Sequence, residues 1–189
     1  MPFVIDNSVV SGWYLEDQAT PYTEHIATRL VEDRASAPAL WELELTNVLR
    51  TSCLRRRLTA EKAQQILLHI AGLPIDTDRH AVPRHELLAL ALRFGLGSYD
   101  AAYLELALRR QLPLATQDEA LRAAALAAGV GCVEVLSEAS LPGRSLSRLT
   151  RRGRIAKRDL ILPCVERRSA WRRKHRLQGL QRQQQCWRA

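Results

Sequence analysis

Along residues 1–136, brief apolar runs alternate with longer stretches whose apolar residues recur at helical spacing. The runs at 2–5, 36–39, 73–76, 112–116 and 131–136 read as strands. Between them, residues 9–15, 20–34, 40–57, a stretch opened by Thr59, and 79–94, 98–110 and 119–128 read as helices. Strands kept apart by helices cannot close into hairpins, so each crosses over and lies parallel to the others. The chain is therefore expected to form an α/β fold, a three-layer α/β/α sandwich with a central parallel sheet of about five short strands.

Local signals refine this outline. Pro38 suits the start of a strand better than its middle. Thr59 opens a helix without the capping-box form, because Lys62 stands where Glu or Gln would. Gly95-Leu96-Gly97 is a helix-to-helix turn, lacking the third glycine of a dinucleotide fingerprint, and Gly129 stops a helix. The stripe of Leu87, Leu88, Leu90, Ala91 and Leu92 suits core or dimer packing better than a ligand box.

Charge divides the chain. Residues 1–139 carry 13 Lys+Arg against 18 Asp+Glu, and residues 140–189 carry 15 against 2. The overall +8 thus conceals an acidic body of −5 and a basic tail of +13, with a boundary expected near 140. In the tail, Arg151-Arg152-Gly153-Arg154 and Arg172-Arg173-Lys174-His175-Arg176, near Trp171 and Trp187, suit phosphate contacts and base stacking. The same break in composition is what a shifted reading frame of a GC-rich gene produces. Either way, 140–189 is expected to be largely disordered in isolation, with short helical pieces around 167–181.

With 47% apolar residues the body has material for a core, and no apolar run is long enough to span a membrane. The opening Met-Pro-Phe-Val-Ile-Asp lacks the basic region of a signal peptide. Four cysteines, scattered without CxxC spacing, fit free thiols in a reducing cytoplasm and argue against zinc. A cytoplasmic location is expected.

Four acids then stand out: Asp6, Glu44, Asp100 and Asp118. In a parallel α/β sheet, ligands bind beyond the carboxyl ends of the strands, where strand order reverses, and Asp6 and Asp118 lie just past strand ends. Each aspartate has a plainer role available. Asp6 and Asp118 precede helices they could cap, and Asp100 lies in the first turn of a helix whose expected cap is Ser98. Glu44 sits between Trp41 and Val48 on an inward stripe where an unpaired carboxylate is rare, and Asn47, one turn on, shares its face and could orient it. Capping and catalysis are compatible, since helix starts and strand ends meet at one rim. Oxygen ligands gathered there suit Mg2+ or Mn2+, metals used most often on phosphates.

The stretches Val4-Ile5-Asp6-Asn7-Ser8, residues 40–49 from Leu40-Trp41-Glu42 through Glu44 to Leu49, Ser98-Tyr99-Asp100-Ala101-Ala102-Tyr103 and Pro113-Leu114-Ala115-Thr116-Gln117-Asp118 carry a family resemblance. Over residues 1–136 the chain resembles the PIN-domain ribonucleases, most closely the VapC-type toxins of type II toxin–antitoxin pairs. The resemblance implies Asp6, Glu44, Asp100 and Asp118 as the catalytic acids, with Asp6 and Asp100 binding metal most directly. It puts Ser8, Asn47 and Thr116 at polar supporting positions. Glu119, next door, is better read as a first-turn helix acid.

The resemblance further implies a Mg2+-dependent endoribonuclease toxin that cuts single-stranded RNA by a metal-activated water, leaving a 5′-phosphate and a 3′-hydroxyl. A VapB-like antitoxin would neutralise it, and the toxin would form a homodimer. No histidine is required, and His25, His69, His80, His85 and His175 all lie outside the motifs. Arg55, Arg56 and Arg57 end a helix, where basic residues suit the dipole, and are also candidates for RNA contact. Two other readings are open. An aspartyl-nucleophile phosphohydrolase also starts with a strand and Asp6, but wants a second acid where this chain has Ser8. A non-catalytic RNA-binding protein would rely on the basic tail.

Overall fold

The computed structural model describes residues 1–134. Its elements are β1 (Phe3–Ile5), α1 (Asn7–Ser11), a 3-10 turn (Glu16–Gln18), α2 (Pro21–Arg29), β2 (Ala35–Pro38), α3 (Trp41–Leu54), α4 (Ala60–Ile70), β3 (Ile75–Asp78), α5 (Arg84–Phe94), α6 (Ser98–Arg110), β4 (Leu114–Ala115) and α7 (Glu119–Ala127). The basic stretch 140–189 lies outside the described residues. Met1–Leu67 and the described residues from Pro74 to Glu134 belong to one compact unit, which holds the sheet and all four acids.

The sheet has strand order β3-β2-β1-β4, and every pairing is parallel. This is the expected α/β fold, a central parallel sheet with flanking helices. From β1 the chain steps outward to β2 and β3, then returns past its start to place β4 on the other side of β1. The order reverses between β1 and β4, with Val4 opposite Leu114 and Ile5 opposite Ala115. A crevice opens at such a point because the two adjoining loops leave toward opposite faces.

Burial follows from these positions. Phe3, Val4 and Ile5 are fully buried, as an inner parallel strand covered on both faces requires. Helix α6 packs on β1, β2 and β4 as well as on α5 and α7. Ala101, Ala102 and Ala107 let it lie close, while Tyr103, Leu104 and Leu106 fill the core. Helix α3 packs on α1. Strand β3 is the polar edge, where Arg34 pairs with Asp76 and both Arg109 and Arg110 pair with Asp78.

Several boundaries differ from expectation. β3 runs two residues later than the 73–76 run, because polar Thr77 and Asp78 are tolerated on an edge where their side chains find partners. The helix expected from 79 begins at Arg84, with Pro83 at its N-cap, since a proline disfavours helical backbone in the residue before it. Pro38 ends β2 rather than starting it, at a position that tolerates its missing N–H. Among the described residues the fifth strand is reduced to one parallel bridge, Leu114 to Cys132, and the sheet has four strands. Gly95-Leu96-Gly97 is the expected turn: Gly95 closes α5 in the left-handed region at φ 65° and Gly97, not Ser98, is the N-cap of α6. No helix among the described residues is long and apolar enough to cross a membrane.

Candidate metal centre

Asp6 follows β1 directly and is buried, with 7% of its surface exposed. It occupies the N-cap position of α1 but makes no side-chain capping bond. Instead its Oδ2 accepts two hydroxyl hydrogens, from Ser8 Oγ and from Thr116 Oγ1 at 2.7 Å. Those hydroxyls in turn accept backbone N–H groups across the crevice, Ser8 Oγ from Gln117 and Thr116 Oγ1 from Asp118, each at 3.0 Å. A hydroxyl has one hydrogen to give. With its acceptor side taken by the amide, its hydrogen must point at Asp6, so Oδ2 is fixed as an acceptor. The β1–α1 and β4–α7 loops are thus joined through one carboxylate.

Gln117 makes the second tie. Its Nε2 donates to Ser8 O (2.9 Å) and Gln18 O (3.3 Å), and its Oε1 accepts from Thr20 Oγ1 (2.7 Å). Thr20 also forms a reciprocal capping box with Thr23 at the start of α2, with Pro21 in the first turn. Asp118 is exposed and caps α7, its Oδ1 accepting from Leu121 N at 2.8 Å. Glu119 is exposed in the first turn of α7.

Glu44 is half-buried in α3, and its Oε2 accepts from Tyr103 OH at 2.5 Å. Asn47 is exposed, and its side chain makes no hydrogen bond to Glu44, so the expected orienting residue is replaced by Tyr103 from α6. Asp100 is half-buried in the first turn of α6. Arg55 and Arg56 are exposed beyond α3, while Arg57 is engaged in an ion pair with Asp17.

The fields of these acids overlap: Asp6 and Asp100 both act on Glu44, and Asp118 and Asp6 both act on Asp100. Burial raises the Glu44 pKa first, and the charges of Asp6 and Asp100 raise it further, against the Tyr103 hydrogen bond. Asp100 is raised by burial, then by Asp118 and by Asp6. Asp6 is raised by burial, opposed by its two hydroxyl donors. No cationic side chain appears among the causes acting on these three acids. Among the described residues no three His, Cys, Asp or Glu side chains are drawn together as a closed ligand group. Three of the four carboxylates are each anchored through one oxygen to hydroxyl or amide donors.

The residues fit a hard divalent cation. The donor set is carboxylate oxygen only, Asp6, Glu44 and Asp100 have raised pKa values, and next to Asp6 the buried side-chain oxygen of Asn7 has no hydrogen-bond partner. Sequence reasoning missed Tyr103, Gln117 and Asn7. Tyr103 stands one helical turn after Asp100, and that spacing was its one legible signal.

A model of the PIN domain matches residues 3–126. A solved structure, that of PAE2754 from Pyrobaculum aerophilum, is 22% identical over 66% of this chain and 87% of its own, with a TM-score of 0.49. No curated protein matches the chain.

Proposed function

The chain belongs to the PIN-domain family, whose members are generally nucleases that need a divalent metal, and on that premise we propose a Mg2+-dependent endoribonuclease. One observation carries the reading. Asp6 and the Asp118 loop meet at the strand-order reversal, tied through Thr116, with Glu44 and Asp100 in the same field. Asp6 and Asp100 would hold the cation most directly, and Glu44 and Asp118 would act through water or position the nucleophile; Mn2+ would substitute for Mg2+. A cation held there would supply charge neutralisation for a phosphodiester and a water acidic enough to attack it. Ser8 and Thr116 hold Asp6 Oδ2 in place and oppose the rise that burial gives its pKa. Exposed Arg55 and Arg56 are available for RNA phosphates, whereas Arg57 is already engaged by Asp17.

At the finer level the reading is of a VapC-type toxin acting on single-stranded RNA in the cytoplasm, as a homodimer neutralised by a VapB-like antitoxin. The motif stretches around the four acids support it. The chain is further proposed to divide into a nuclease domain, 1–139, and a basic extension, 140–189, dispensable for chemistry. Asp6→Asn and Asp100→Asn should each lower Mg2+-dependent RNA cleavage by about 100-fold or more and relieve any growth arrest. Unchanged cleavage in either variant overturns the assignment. A chain ending at residue 139 should cut RNA as the full chain does. If cleavage disappears while that fragment stays folded, the reading that rests on the basic tail gains.

A further inference from the structure

Tyr103 is an unusual place to find a hydroxyl. It is wholly buried, on a helix that otherwise presents alanine and leucine to the core. A buried phenol without a partner is costly, and this one donates to Glu44 Oε2 across 59 residues of sequence. Glu44 itself lies at the border of the buried face of α3: Leu45 beside it is buried, Leu43 and Thr46 are exposed, and Asn47 offers it no bond. A glutamate has three rotatable side-chain bonds and would otherwise swing into solvent, away from Asp6 and Asp100.

We propose that Tyr103 is the positioning residue of the metal centre, pinning Glu44 Oε2 so that Oε1 is presented toward Asp6 and Asp100. The inference rests on the nuclease reading and adds a residue to it. Three features of the contact give Tyr103 this role. Its ring is fixed by the core, so the hydroxyl cannot follow Glu44 if the glutamate moves. It lies one turn from Asp100 on the same helix, so a single rigid element sets Asp100 and Glu44 relative to each other. The hydroxyl donates, which leaves the carboxylate its charge for a cation. Hydrogen-bond partners behind a metal site's carboxylates are typically worth about 10- to 100-fold in metal affinity, and Glu44, acting through water, belongs to that site.

The test is Mn2+ binding to the full chain, followed by titration calorimetry and by the electron paramagnetic resonance of free Mn2+. Tyr103→Phe should lower Mn2+ affinity about 10-fold or more, with the metal-free melting temperature within a few degrees of wild type. In a Glu44→Ala background the same substitution should cost nothing further, because its effect passes through Glu44. Tyr103→Phe that binds Mn2+ as wild type does overturns the inference and leaves the nuclease reading standing. An equal loss in the Glu44→Ala background also overturns it. If Tyr103→Phe does not fold, Glu44→Asp, which withdraws the carboxylate from the hydroxyl by one carbon, is read in its place; undiminished Mn2+ affinity there overturns the inference. Wild-type chain that takes up no Mn2+ sinks the metal centre itself, and this inference with it.

Discussion

At the level of single residues, the centre is held by donors from distant parts of the chain, and among the described residues no cationic side chain opposes the raised pKa values of Asp6, Glu44 and Asp100. That has a pH signature. Glu44 and Asp100 have folded-state pKa values raised above their ordinary 4.5 and 3.8, by burial first and then by neighbouring carboxylates. A raised acid binds more protons folded than unfolded. Its contribution to stability is therefore intact below the ordinary value and is lost as pH climbs through the raised one. Metal-free protein should lose melting temperature as pH rises from about 4 toward neutrality, and saturating Mn2+ at neutral pH should restore it. A melting temperature independent of both pH and Mn2+ across that range would mean the acids do not share a field. Asp6 and Asp118 were legible in sequence because a strand end before a helix is a local pattern. Gln117 was not, and Tyr103 showed only in its spacing from Asp100, since bonds spanning 109 and 59 residues leave no local trace of their own.

At the level of elements, β1, α3, α6 and the β4–α7 loop supply the acids of the centre, and the loops decide whether they meet. Gly12, just after α1, shows how little room there is. A Cβ there would stand 2.6 Å from Thr23 Cγ2 and 2.7 Å from the Gln18 carbonyl oxygen. Gln18 is backbone and cannot yield without moving the 3-10 turn, whose carbonyl accepts from Gln117. Gly12→Ala should destabilise the protein by about 1–3 kcal/mol, measured by urea unfolding, and should lower cleavage as well, because the displaced turn tugs at the loop carrying Asp118. Loss of stability without loss of cleavage would show the turn is independent of the centre. Element type was readable throughout because the apolar period changes between runs and helices. Boundaries slipped where tertiary partners outweighed local signals. Thr77 and Asp78 remain in β3 because Trp41, Glu42 and Arg109 bind them, and Asn47 faces solvent although its spacing from Glu44 suggested a partner.

At the level of the whole molecule, the sheet order accounts for the position of the centre, and a ligand that binds only the folded state should reinforce both. Mn2+ at about 100 times its dissociation constant should add about 2.7 kcal/mol to unfolding, read as a rise in melting temperature, and Asp6→Asn should abolish most of that gain. A gain of the same size in the variant would locate cation binding elsewhere. The reversal of strand order was expected from alternating strands and helices, but which strands flank it could not be read, because pairing partners are not written in periodicity. The same topology governs when the protein can first act. β1 is synthesised well before its second neighbour, β4, which begins at Leu114, and Asp6 waits for Thr116 across 110 residues. Until that last strand slides in, the first one has a bare flank and its carboxylate has lost a hydroxyl donor, so a nascent chain still shorter than this span carries no competent blade.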